Sequence, residues 1–231
     1  MPPSSTPAGA EHGRLHLPRP AGSAGSASAG RHDIEVDGSL AGVCYVPATT
    51  PRRLVLMLHG AGGTAEAGVG LLMPYADDQG LAIYAPKSVR ATWDVLGPGF
   101  GPDVRRIQAA LTQITGMLGP AAAAPAIGGF SDGASYALSL ALANGDVFDT
   151  VLAFSPGFAA PATPTGRPAV FISHGRGDRV LPIERCGRRL ARALRAAGYP
   201  VDYHEFDGGH EVPPDIVTAA LDRLAATGPR R

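Results

Sequence analysis

From His32 onward, short unbroken apolar runs alternate with longer segments whose apolar residues recur every three or four positions. The run 54–58 shows no apolar/polar alternation, the pattern of a strand covered on both faces. Residues 81–85, 126–130, 150–154, 169–173 and 201–206 read as further strands. Between them, "PDVRRIQAALTQITGML" sets Val104, Ile107, Leu111, Ile114 and Leu118 on one stripe, with Arg105 and Arg106 outside it. "DGASYALSLALAN", "PIERCGRRLARALRAAG" and "PPDIVTAALDRLAA" follow three of the other strands with helical spacing. Strand and helix repeated in this order form right-handed crossovers, so the expected class is α/β: a doubly wound, mostly parallel sheet with helices on both faces. Only "SPGFAAPATPTGRP" separates the sixth and seventh of the chain's eight expected strands, too little for a cap domain.

Ahead of the alternation, "HDIEVDGSLAGVCYVPA" holds two short strands around Asp37-Gly38, a dipeptide suited to a tight hairpin turn. The Gly/Ser/Ala tract at 21–30 has little to bury. The chain therefore divides into a disordered N-terminal arm over 1–31 and one α/β domain over 32–228. With 45% hydrophobic residues, 231 positions suffice for one substantial core. Twenty basic residues balance twenty acidic ones, which argues against nucleic acid or an anionic membrane as partner and favours a small-molecule substrate. The N-terminus lacks the basic start and apolar stretch of a signal peptide, and no membrane span is readable, so a cytoplasmic protein is expected. Cys44 and Cys186 show no CxxC spacing and read as free thiols.

Sheets of this kind bind ligands at the carboxyl ends of their strands, and four of those ends are unusual: "HGAGG" at 59–63, "GGFSDG" at 128–133, "HGRGD" at 174–178 and "DGGH" at 207–210. The second contains G-x-S-x-G. Composition alone predicts roughly 0.2 such motifs in a chain this rich in glycine, so the five letters settle little. Context adds more. A serine in a sharp strand-to-helix turn presents its hydroxyl at the sheet edge, and Gly129 and Gly133 allow strand and helix to approach. A serine hydroxyl needs a histidine base, and that base needs an acid to fix its tautomer. Asp178 and His210 follow later strands in the order serine, acid, histidine. The residues therefore point to Ser131 as nucleophile, Asp178 as acid and His210 as base. The Asp132 amide, at the start of a helix, is one candidate oxyanion donor and that of Ala61 is the other. The Asp132 carboxylate reads as a first-turn charge.

Rival assignments are weaker. Asp207 shares the loop of His210, His204 lies within a strand, and His59 and His174 read as braces of their loops. Residues 60–65 also match the dinucleotide fingerprint G-x-G-x-x-G/A, which would make the chain a non-catalytic nucleotide- or ligand-binding α/β protein. That reading needs an acidic residue at the end of the next strand, where "LAIYAPKS" supplies Lys87 instead. HExxH and paired Cys/His spacings do not occur, so neither a metal nor another cofactor is expected.

"HGAGG", "GGFSDGASYALSLAL", "HGRGDRVLP" and "GGH" together resemble the α/β-hydrolase superfamily, and within it the phospholipase/carboxylesterase and polyhydroxybutyrate-depolymerase-like esterases, over residues 33–226. The resemblance implies the α/β-hydrolase fold in a minimal form and hydrolysis of short to medium acyl esters. Thioester, lysophospholipid or polyester substrates are alternatives. Its nucleophile, acid and base fall on Ser131, Asp178 and His210, and its oxyanion amides on Ala61 and Asp132. Related acyl-protein thioesterases carry "HGxGD" and "GFSQGG", from which Gly63 and Asp132-Gly133-Ala134 depart. An uncapped cleft would be lined by Trp93, Leu96, Phe100, Phe158, Val180 and Leu181, with residues 97–102 as a candidate flap.

Overall fold

The computed structural model describes residues 9–18, 25, 27–96 and 100–227. Two strands, β1 (Gly30–Val36) and β2 (Ser39–Val46), form an antiparallel hairpin. Its two turn residues, Asp37 and Gly38, have φ of 52° and 70°, the left-handed pair that the dipeptide foretells. The chain continues through β3 (Arg53–Leu58), α1 (Ala65–Gly70), α2 (Met73–Gln79), β4 (Leu81–Pro86), α3 (Pro102–Leu118), β5 (Ala126–Phe130) and α4 (Asp132–Ala143). It ends with β6 (Thr150–Phe154), β7 (Ala169–Gly175), α5 (Gly187–Ala196), β8 (Val201–Phe206) and α6 (Pro214–Ala226). The eight strands lie in the order β1-β2-β4-β3-β5-β6-β7-β8. β2 meets both of its neighbours antiparallel, and every pairing from β4 to β8 is parallel. This is the mostly parallel, doubly wound sheet expected. Residues 155–168, between β6 and β7, carry neither strand nor helix, so no cap domain stands there.

Two cores sandwich the sheet. Leu54, Leu56 and Leu58 of β3 face α3, α4 and α5, while Val55 and Met57 face α1, α2 and α6. Side chains alternate across a strand, so a fully buried strand must be apolar on both faces. The elements over 65–79 are absent from the sequence reading: both helices are only six or seven residues long, too short for a helical stripe to declare itself. α5 begins at Gly187 and not at Pro182, because residues 182–186 form a tighter turn in which Pro182 O accepts from the Arg185 and Cys186 amides.

Part of the N-terminal segment lies on the domain. Ala10–His12 form a 3-10 turn, Leu15 is 1% exposed within the core of α3 and α4, and Arg14 pairs with Asp146 at 2.7 Å. The Leu15 amide donates to Asn144 Oδ1 at 2.8 Å, and Asn144 Nδ2 donates to Gly13 O at 2.7 Å. Cys44 and Cys186 are both free and buried, and burial pushes the Cys44 thiol up to about 12, outside the range in which it forms thiolate. Among the described residues, no helix is long and apolar enough to cross a membrane.

Candidate active site

The turn from β5 into α4 leaves little room for side chains. A Cβ on Gly133 would lie 2.3 Å from Leu58 O and 2.4 Å from His59 O, and one on Gly129 would lie 2.6 Å from Gly133 C. Glycine at both positions lets the helix start against the end of β3. Between them Ser131 takes φ 57°, ψ −117°, a conformation costing a non-glycine residue roughly 1–3 kcal/mol. The surrounding bonds hold it there: Ser131 N donates to Phe154 O at 2.9 Å, and Ser131 O accepts from both the amide and the hydroxyl of Ser135 at 3.1 Å.

His210, from the loop after β8, reaches this serine. Its Nε2 lies 2.8 Å from Ser131 Oγ, and its Nδ1 lies 2.7 Å from Asp178 Oδ2. Asp178, as a carboxylate, only accepts, so Nδ1 carries the proton and Nε2 is free to accept from the hydroxyl. The Phe130 ring lies 4.7 Å from the imidazole centroid and packs against it. The other oxygen of Asp178 accepts the amides of Val180 and Leu181, each at 2.8 Å. Burial alone would raise this carboxyl. The Leu181 amide, His210 and the Val180 amide outweigh it, and hold Asp178 below the usual carboxylate range.

The two rival loop histidines act as braces. His174 is fully buried. Its Nε2 lies 2.7 Å from Leu181 O and 3.3 Å from Asp178 Oδ2, so it fixes the acid loop from beneath. Burial holds His174 below its ordinary pKa, hence neutral, with Nε2–H as donor. His59 donates from Nδ1 to Gly60 O at 2.8 Å and accepts the Ser88 amide at Nε2. Gly60 O also accepts from the Gly63 amide at 2.9 Å. In a trans peptide the N–H opposes the carbonyl, so these two bonds turn the Ala61 amide the other way, and it has no partner among the described residues. A Cβ on Gly60 would stand 3.5 Å from Ser131 Cβ, which puts this loop against the serine. The Asp132 amide, at the first position of α4, has no intrahelical acceptor. The remaining rivals lie elsewhere: His204 pairs with Asp202 at 2.9 Å, and Asp207 pairs with Arg176 at 2.6 Å.

The carboxylate of Asp132 does more than complement a helix end. It accepts from the Thr92 hydroxyl and, at 3.4 Å, from the Trp93 amide, which ties the 92–93 loop to the start of α4. Trp93 is 1% exposed; it stacks on Tyr136 at 5.1 Å, tilts against His59 at 4.8 Å and donates from Nε1 to His59 O. It supports the 59–63 loop from below and does not face a cleft. Phe100 packs on Tyr136 at 5.9 Å, and its ring lies 3.0 Å from where a Cβ on Gly13 would be, against the N-terminal segment. Leu181 adjoins the acid through its amide, and the main chain at Phe158 adjoins Ser135 of α4. The Phe158 and Gly157 amides donate to Ser135 Oγ, and Leu181 Cδ2 lies 3.3 Å from where a Cβ on Gly157 would be. Val180 is 65% exposed. Residues 97–99 of the candidate flap lie outside the described residues.

The sequence reading missed Ser135, Thr92 and Phe130 as supports. It also missed a carboxylate pair, Asp94 and Asp103, that ties the chain on either side of the candidate flap. Asp94 accepts the Gly101 and Asp103 amides and the Tyr136 hydroxyl, and Asp103 accepts the Val89 and Asp94 amides. Most of these bonds span 7 to 14 residues of irregular chain, where no periodic spacing announces them.

Comparison with known proteins agrees with this architecture. The family model described as phospholipase/carboxylesterase matches residues 110–227, which run from α3 through the serine, acid and histidine loops. No curated protein matches the chain. Among solved structures, esterase PE8 is 24% identical, covering 81% of this chain and 98% of that one with a TM-score of 0.67. TT1662 from Thermus thermophilus is 23% identical, with 87% and 98% covered and a TM-score of 0.61. Acyl-protein thioesterase 2 of Zea mays is 20% identical, with 87% and 99% covered and a TM-score of 0.58. Those three likenesses are of fold. The family match spans just over half the chain, and with the sheet order it makes this α/β-hydrolase a member of the phospholipase/carboxylesterase family, a family of hydrolases.

Proposed function

We propose that the protein is a serine-dependent carboxylic ester hydrolase acting through an acyl-enzyme on short to medium acyl esters. One observation carries the reading: a single imidazole lies within hydrogen-bond distance of Ser131 Oγ on one side and a buried carboxylate on the other. In the first half-reaction His210 Nε2 takes the Ser131 proton as Oγ bonds to the ester carbonyl carbon. The oxygen that becomes negative is held by the Ala61 and Asp132 amides, each such donor being worth about 3 kcal/mol in the transition state. The tetrahedral adduct collapses as the C–O bond to the alcohol breaks, and His210 returns its proton to the leaving oxygen. Water, deprotonated by the same nitrogen, then attacks the acyl-serine, releasing the acid and restoring the hydroxyl. Asp178 stays ionised throughout and stabilises the transient imidazolium.

The absence of strand or helix over 155–168 supports an open approach to Ser131. The order of the two half-reactions is the same for a thioester, so oxygen and thiol esters of one acyl group, assayed side by side, tell the two substrate classes apart. Ser131→Ala tests the mechanism. Turnover of p-nitrophenyl butyrate is expected to fall at least about a thousandfold, with loss of covalent labelling by a fluorophosphonate. Full activity in that variant would remove the serine from the reaction.

A further inference from the structure

The chain is neutral overall, yet six arginines and one glutamate fall between positions 179 and 195. These arginines sit poorly for stability. Arg188 and Arg189 occupy the first turn of α5, which holds no acidic residue, although the positive end of a helix favours anions there. Arg185 and Arg189 are four apart and like-charged, with Arg189 Nε donating to Arg185 O at 2.8 Å.

The four from Arg179 to Arg189 fall into two groups by their neighbours. Arg188 turns toward β8, where Glu205 takes it in two bonds of 2.6 Å and Glu184 also pairs with it. Arg179, Arg185 and Arg189 are exposed and have no ion-pair partner among the described residues. Arg189 points the other way, its guanidinium lying 3.4 Å from Gly157 O. The Gly157 amide bonds Ser135 Oγ at 2.9 Å, and that hydroxyl bonds Ser131 O at 3.1 Å. Three hydrogen bonds therefore link Arg189 to the serine. Arg179 follows the triad acid directly, and exposed Val180 separates it from Leu181. The carboxylate beside them, Asp178, commits both oxygens to His210 and two amides and forms an ion pair with none of the three.

We propose that Arg179, Arg185 and Arg189 form an anion-recognising rim, and that the preferred substrates are esters whose unreactive end carries a negative charge, a carboxylate or a phosphate. This rests on the esterase reading above and narrows its substrate class. Guanidinium forks suit planar carboxylates and phosphates, and a charge on the substrate supplies the counter-ion the helix start lacks.

Mono-p-nitrophenyl glutarate and p-nitrophenyl valerate have the same acyl length and differ in the terminal carboxylate. The full chain is expected to show about fivefold higher kcat/KM on the glutarate at low ionic strength, a preference shrinking at high salt, as solvent-screened pairs require. The ratio of the two values should fall toward one in Arg185→Gln/Arg189→Gln and persist in Arg185→Lys/Arg189→Lys, with unfolding midpoints measured for both. Calorimetric binding of glutarate against valerate needs no turnover and is expected to favour glutarate. Equal kcat/KM values for the two esters, or an undiminished ratio in the glutamine variant, would overturn the rim. Glutarate binding without hydrolysis of either ester would keep the rim and remove the esterase reading, while no binding preference would remove the rim alone.

Discussion

Asp178 divides its two oxygens between tasks. Oδ1 holds the acid loop through two amides, and Oδ2 takes the His210 proton donor. An asparagine can keep the first task, since its carbonyl still accepts both amides. It fails at the second, because an NH2 group facing Nδ1 favours the imidazole tautomer with its proton on Nε2, unable to accept from the serine. Asp178→Asn is therefore expected to lower kcat on a neutral ester by about 10³–10⁴ while moving the unfolding midpoint little. A loss confined to KM, or a collapse of the fold, would show that the loop-holding task dominates. At this scale the sequence was informative about which side chains stand at strand ends, and Ser131, Asp178 and His210 do lie in one hydrogen-bonded row. It was uninformative about depth. Nothing in "RATWDVL" distinguishes a tryptophan under a loop from one lining a cleft, since both are apolar and near glycine. Trp93 lies under the loop because its N–H has a carbonyl to reach there, at His59.

Among the elements, the long stripes were readable and the ends less so. α3 and α6 fall where their apolar spacing puts them, whereas β7 runs two residues beyond the expected 169–173, through His174 and Gly175. That extension is set by β8, whose Glu205 and Phe206 pair with those two residues, a tertiary fact with no local signature. β8 is an edge strand, and Glu205 ties it to α5 through Arg188 and to the loop after β7 through Arg176. The bonds from Arg188, with smaller help from Tyr203 and Arg176, outweigh burial and pull the Glu205 carboxyl down to about 2. The sign follows from linkage. As pH falls below the ordinary glutamate range the unfolded chain takes a proton that the folded chain refuses, so this stabilisation is complete above about 4.5 and lost toward 2. Glu205→Gln is expected to cost about 1–2 kcal/mol at pH 7, allowing for solvent screening, and progressively less as pH falls through that window. Denaturant midpoints of the two proteins at pH 7 and pH 3 measure it. A gap of equal size at both would assign the effect to packing.

For the whole molecule, the class of sheet was legible because it follows from a repeated pattern, and eight strands repeat it many times over. The N-terminal segment repeats nothing. Its apolar residues, Leu15 and Leu17, are isolated among prolines and glycines, and a buried leucine there looks the same as an exposed one until α3 and α4 are in place. We therefore propose that the folding unit includes residues upstream of position 32. Leu15 fills space between helices with 1% of its surface exposed, while the backbone around it satisfies both ends of the fully buried Asn144 side chain. Leu15→Ala removes only the packing and is expected to cost about 2–4 kcal/mol, lowering the midpoint by roughly 5–10 °C. Deletion of residues 1–18 also takes two of the three partners of the Asn144 amide, leaving Leu140 O, at a further cost of about 1–3 kcal/mol. The deletion should thus melt below the point variant, and both below the full chain, in one scanning calorimetry series. A deletion protein that melts with the full chain would instead place the folding unit downstream of residue 18 and make the Leu15 contact energetically idle.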